Sequence, residues 1–196
     1  MTAEVTARAG YGGASEASIS AAAGIDEATF HRHFPEKRAA FRAAHELHYR
    51  QAMTSAAGAF FAGESWPQRI WLAGAAFAGY MQANPALLRA SLVEGYAGGP
   101  PTLQRGEDIV AAFTIFLQEG YQAARHERPP SRVAVEAIAA TGFEIVYRQL
   151  RGGGEAPARS LVAQLAWLSL APFLGGERTN ALIEAKLAVP AVEPEK

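Results

Sequence analysis

The sequence predicts an all-α chain, and three observations carry that prediction. Its 43 alanines outnumber the 25 β-branched residues, no stretch sustains the period-two alternation of a half-buried strand, and glycine and proline cut the chain into helix-sized pieces. At 196 residues with 49% apolar and 19% charged side chains, the chain can form one globular unit, or a small domain joined to a larger one.

The elements follow in order. Gly10 to Gly13 ends a first helix of about nine residues, Gly24 breaks a second, and Pro35 stops a third at Phe34. From Glu36 to Phe61 there is no proline, which predicts one connecting helix of about seven turns. Trp66 and Pro67 open the next helix, which ends near Asn84, and Pro85 begins another that closes at Gly98, Gly99, Pro100 and Pro101. Three larger helices complete the body. From Ile109, the residues Phe113, Phe116, Leu117, Tyr121 and Ala124 share one helical face. From Val135, the set Ile138, Ala139, Gly142, Phe143, Val146, Tyr147 and Leu150 repeats the pattern, with Glu144 one turn before Arg148 as a surface pair. Arg151 and glycines 152 to 154 end that helix, and Pro157 reopens one in which Leu161 to Leu174 carries no charge. A helix so apolar needs cover on every side, and a second subunit is expected to complete it. The tail at 191–196 is expected to fray.

Several function classes fall away. A chain without cysteine has no disulfide scaffold, thiolate metal site or cysteine nucleophile. A net charge of -1 and a pI near 6.5 argue against coating nucleic acid through bulk positive charge. The contiguous apolar run from Ile70 to Met81 falls short of the ~20 residues of a membrane span, and no basic leader precedes an apolar core. A soluble, cytoplasmic protein with no membrane partner is expected. His45 and His48 sit one turn apart without a third convergent ligand, and His31 and His33 point to different faces, so no metal site is expected. Glycines 152 to 154 lack the following lysine of a phosphate loop, and no serine sits in a nucleophile elbow. The expectation is no catalytic residue, no cofactor and no enzyme.

Helix, tight break at Gly24 and second short helix is the layout of a helix-turn-helix, whose second helix enters the DNA major groove. The residues in that layout say more than the spacing. Gly10-Tyr11, Ser15, Ile19, Ala21-Ala22-Ala23-Gly24-Ile25, Thr29, Arg32-His33-Phe34-Pro35, Lys37 and Phe41 resemble, without a gap from Gly10 to Phe41, the DNA-binding domain of TetR-type transcriptional regulators. Asn84-Pro85-Ala86 with Leu92-Val93-Glu94, and Leu170 to Gly175, look like the ligand-binding half of one branch of that family.

The resemblance implies an all-helical homodimer of about nine helices per subunit. Its helix-turn-helix domain would cover residues 1–41, and a long helix would lead into a ligand-binding and dimerisation domain over residues 42–190. A recognition helix would span roughly Asp26 to His33. Thr29 and Lys37 would touch phosphates, and Ala28, His31 and Arg32 would face bases and nearby backbone. Ser15, Asp26 and Glu27 would share that DNA-binding surface. Ile19 and Phe34 would be core. In the body, the ring-rich faces of Trp71, Phe77, Tyr80, Met81, Phe113, Phe116, Tyr121, Phe143 and Tyr147 fit either a packed core or the lining of a pocket for a small apolar or aromatic ligand. Glu94 or Tyr80 would supply one orienting polar contact.

The head departs from the family pattern. His31 stands where a tyrosine is usual, Glu16 where an apolar residue is usual, and Ala14 where a capping hydroxyl is usual. Thr6 replaces a bulky aromatic, and Asp26 and Glu27 bring acids to the start of the recognition helix. Residues 1–30 hold Arg8 against Glu4, Glu16, Asp26 and Glu27, whereas residues 31–42 hold Arg32, Lys37, Arg38 and Arg42 against Glu36. The two charges cancel, so weak operator binding at physiological salt is expected. Two readings stand at this point: a ligand-responsive repressor, or a dimeric small-molecule-binding module with a vestigial head.

Overall fold

The computed structural model describes residues 1–85, 110–124, 129–152 and 158–189, and every regular element among these is helical. Four helices come first: α1 (Thr2–Gly13), α2 (Glu16–Ala23), α3 (Glu27–His33) and the long α4 (Lys37–Phe61). Then come α5 (Trp66–Ala83), a helical run over 110–118 (α6) and α7 (Gly120–Ala123). The chain continues with α8 (Arg132–Arg151), α9 (Ala158–Leu174) and α10 (Gly176–Ala188). Beyond Pro85 itself, the helix expected from Pro85 to Gly98, the stop at Gly98 to Pro101 and the tail at 191–196 lie outside the described residues.

The head forms for local reasons. Gly10, at φ 71°, bends α1 in the region expected to end it, yet one more turn follows to Gly13. Ser15 caps α2 in a reciprocal box, its Oγ accepting from Ser18 N–H at 3.1 Å while Ser18 Oγ accepts from Ser15 N–H at 2.9 Å. The capping hydroxyl thus comes one residue after Ala14, and Ala14 itself is buried. Gly24 adopts the left-handed conformation (φ 68°), and Ile25 N–H reaches back to Ser20 O at 3.1 Å. That pattern satisfies the last carbonyls of α2 and turns the chain into α3. Ile19, Phe30 and Ala40 are buried at 2%, 1% and 1% exposure, with Val5 and the half-buried Phe34 packed against them. Thr6 is buried too, its hydroxyl donating to Thr2 O at 2.9 Å.

In the body, α9 is the central element, packing against α5, α7, α8 and α10. Its cover therefore comes mostly from its own chain, and one side is left exposed. Leu161, Val162, Leu165, Ala166, Leu170, Phe173 and Leu174 are buried, the exposed Ser160, Gln164 and Trp167 follow helical spacing along one stripe, and Pro172 is exposed near the end. α10 supplies part of that cover and was not among the helices expected from the sequence. It packs Thr179 and Ile183, one turn apart, onto the core. Arg69 ties the α4–α5 turn to the junction between α6 and α7. Its Nε donates to Gly63 O at 2.9 Å, and its Nη1 donates to both carboxylate oxygens of Glu119 at 3.0 and 2.9 Å. The Glu144–Arg148 pair forms on the surface of α8 as expected, at 2.6 Å.

Candidate functional site

Two places merit attention, the outer surface of α3 and a cavity inside the body. Asp26 is the N-cap of α3, its Oδ1 accepting from Thr29 N–H at 2.6 Å, and hydrogen bonds from the Thr29 hydroxyl and then its backbone N–H hold the carboxyl below the usual carboxylate value. Its acid is therefore the cap residue a short helix needs. Thr29 Oγ1 accepts from Arg32 Nη2 at 2.8 Å, joining two of the expected DNA contacts on one face. Glu27, Ala28, His31, Arg32 and Ser15 are exposed, and Thr29 is half-buried.

Glu16 and Lys37 meet across the head. Glu16 Oε1 accepts from the backbone N–H of Lys37 at 2.7 Å, and its Oε2 lies 3.5 Å from His31 Nε2. Glu16 thus satisfies a free N–H at the start of α4, where the helix dipole also favours an anion. The half-buried Lys37 does not aim its ammonium outward towards a phosphate. Nζ donates to Tyr11 O at 2.8 Å and Ala14 O at 2.7 Å and sits 4.5 Å from the centre of the Tyr11 ring. Nothing in local sequence announces the Glu16 contact, because its partner lies 21 residues away.

Inside the body, α4, α5, α6, α8 and α9 enclose a cavity of about 50 Å³. Of the expected ligand residues, Phe77, Phe113 and Phe116 line it, with Phe113 edge-on to both others at 6.2 and 6.4 Å between ring centres. Met53, Ala56, Gly74, Ile138, Gly142, Leu165 and Ser169 complete much of the wall. Among the described lining residues no side chain is titratable, and the Ser169 hydroxyl is already committed to Leu165 O at 2.7 Å.

The remaining expected ligand residues sit elsewhere. Trp71 packs on the main core, while Met81, Phe143 and Tyr147 belong to a neighbouring cluster in which the last two rings stack at 6.5 Å. Tyr80 lies between α5 and α4. Its oxygen is 3.0 Å from His48 Nδ1, and its hydroxyl donates to Gln51 Oε1 at 3.2 Å. Burial pushes the Tyr80 phenol up and the His48 imidazole down. His45 is buried against Phe41, and no metal-binding group of three ligands occurs among the described residues. Tyr121 borders a wider hollow of about 720 Å³ with Gln118, Arg132, Val135 and Glu136, and its ring packs on Phe173. Glu94 lies outside the described residues. Sequence reasoning looked for rings and so passed over Gly74 and placed Gly142 only on an apolar helical face. The available signal was a glycine in mid-helix facing the core, where alanine is otherwise preferred.

Comparison with known proteins adds to this geometry. Residues 1–47 match the family model described as bacterial regulatory proteins, tetR family. The fold is similar to the crystal structure of a bacterial regulatory protein in the tetR family from Rhodococcus RHA1. The TM-score is 0.68 at 19% identity, over 88% of this chain and 92% of that one. No curated protein matches the sequence. No described helix is long and apolar enough to cross a membrane.

Proposed function

We propose that this chain, which carries the TetR-type head of a DNA-binding transcriptional regulator, is a homodimeric repressor released from its operator by a small apolar ligand. The carrying observation is the cavity wall. Met53 and Ala56 belong to α4, the same helix whose first residue, Lys37, is bonded into the head. At about 50 Å³ the space is well below the ~150 Å³ that holds benzene in an engineered apolar cavity. A ligand must therefore push the walls apart, and one of those walls is α4. Ligand binding and head position are coupled to the extent that the ligand prefers the displaced helix.

Two of the acids that made the head look vestigial have structural work, Asp26 as a cap and Glu16 on α4. That favours a working head over a relic. The deciding experiment is a fluorescence titration of the full chain against DNA selected in vitro and against a random duplex. The unmodified chain should bind selectively but weakly at physiological salt, and Glu27→Lys should tighten binding to both duplexes by roughly tenfold. No binding even at low salt would leave only the binding-module reading.

The ligand reading has its own check. A thermal-shift series should show stabilisation by toluene but none by benzoate, because the wall offers a carboxylate no partner. In Gly142→Ala the added methyl meets Leu165 and Leu168 at 3.7 and 3.9 Å, ordinary contact distances. The variant should be more stable by about 0.5 to 1 kcal/mol while losing much of the toluene shift. Failure of every apolar probe to shift the unmodified chain would end this part of the proposal.

Dimerisation is assigned to the outward faces of α8 and α9, which carry Val133 at 74% and Trp167 at 47% exposure. Leu165 is buried within its own subunit and would report on folding, so Trp167→Glu is the informative substitution. Light scattering should give a dimer for the unmodified chain and a folded monomer for Trp167→Glu. A monodisperse monomer without the substitution contradicts the assignment.

A further inference from the structure

We propose that Glu16 and Lys37 are positioning residues for DNA recognition, forming a two-way clamp that fixes the start of α4 against the α1–α2 junction and α3, and that Lys37 is not a phosphate ligand. The proposal rests on the DNA-binding reading for its role and on intramolecular geometry for its existence. Lys37 is held at both ends. Its backbone N–H donates to Glu16 Oε1 at 2.7 Å, while its Nζ donates to Tyr11 O and Ala14 O at 2.8 and 2.7 Å over the Tyr11 ring.

Those two carbonyls belong to the end of α1 and the residue just after it, where the helix leaves carbonyls unpaired and its dipole favours a cation. An ammonium with two short carbonyl bonds and a ring beneath it would have to give up all three to reach a phosphate. Glu16 does the complementary job. One oxygen caps α4 and the other faces His31 on α3 at 3.5 Å, so a single carboxylate spans α2, α3 and α4. A movement of α4 driven from the body therefore reaches α3 through Glu16 and the α1–α2 junction through Lys37.

The sequence makes this testable, because it holds three lysines, Lys37, Lys186 and Lys196. The full chain is labelled briefly with dilute acetic anhydride, folded and in urea, and each lysine peptide is quantified by mass spectrometry. The folded-to-unfolded labelling ratio of Lys37 should fall at least tenfold below that of Lys186. Equal ratios would overturn the clamp.

A salt titration with a random 30-base-pair duplex then separates clamp from phosphate contact. Lys37→Met should leave the slope of log K against log salt unchanged, whereas loss of a phosphate contact would reduce it by ~0.9. A reduction of that size overturns the proposal. Glu16→Ala should lower the preference for in vitro selected DNA over the random duplex by roughly tenfold, with binding to the random duplex retained. Glu16→Gln, whose amide oxygen still accepts from Lys37 N–H, should recover most of it. Equal loss in both Glu16 variants, or no loss in either, overturns the positioning role of Glu16. A chain that binds neither duplex fails the regulator reading instead, and the labelling ratio alone then decides whether the clamp exists.

Discussion

Phe30→Ala should unfold the head while the body stays folded. Phe30 is 1% exposed and packs with Ile19 and Ala40, and its ring lies 5.8 Å from that of Phe34. Removing a buried phenylalanine side chain costs about 3 to 5 kcal/mol through lost transfer energy and the cavity left behind. A three-helix head holds few other buried side chains to absorb that loss, and small cores rarely supply more than ~3 to 5 kcal/mol in total. The α2–α3 corner cannot close around the gap, because Gly24 and the bonds across the turn set the angle between the two helices. Amide exchange should show α2 and α3 losing protection in Phe30→Ala while α5 and α9 keep it, and DNA binding should be lost at every salt concentration. A variant that keeps protected α2 amides and loses less than about 1 kcal/mol would mean that the head draws its stability from α4 rather than from this core.

The parts of this molecule legible in sequence were those set by neighbours along the chain. Gly24 after an alanine run, proline at the head of α5 and the unbroken stretch to Phe61 each announce a boundary through local backbone chemistry, and each boundary lies where expected. Contacts across the chain were not legible. Glu16 read as a misplaced acid because Lys37, whose N–H it caps, stands on another helix. The two carbonyls that Lys37 meets are likewise out of view along the chain and come together only once α1 packs on α4. The cavity was half legible for the same reason. Ring periodicity marks a buried face, but whether a face meets a void or another side chain depends on what stands opposite. Phe116 and Phe143 lie on equally apolar faces, yet Phe116 borders the void and Phe143 stacks on Tyr147. Helix α10 escaped notice because only Thr179 and Ile183 of it are fully buried, too little periodicity to stand out against its charged positions.

Gly120→Ala should destabilise the body, although the same substitution in a helix would ordinarily stabilise it by about 0.5 to 1 kcal/mol. A methyl placed on Gly120 would stand 2.7 Å from two carbons of the Trp66 ring and 2.9 Å from Phe173 Cδ1. Neither ring can step aside. Trp66 is 5% exposed and pinned by its indole N–H to Phe116 O at 2.9 Å, and Phe173 is fully buried between Trp66 and Tyr121 at ring distances of 5.1 and 5.4 Å. Inserting a methylene-sized group into such packing costs about 1 to 3 kcal/mol, more where backbone must shift. Movement of Trp66 would also break the bond to Phe116, a residue of the cavity wall, so the toluene response should change with stability. Urea denaturation should therefore give Gly120→Ala and Gly142→Ala opposite signs, with the first less stable and the second more stable than the parent. If Gly120→Ala is neutral or stabilising, α7 must move away from Trp66 at little cost, and the packing of α7 against α9 would be looser than these distances require.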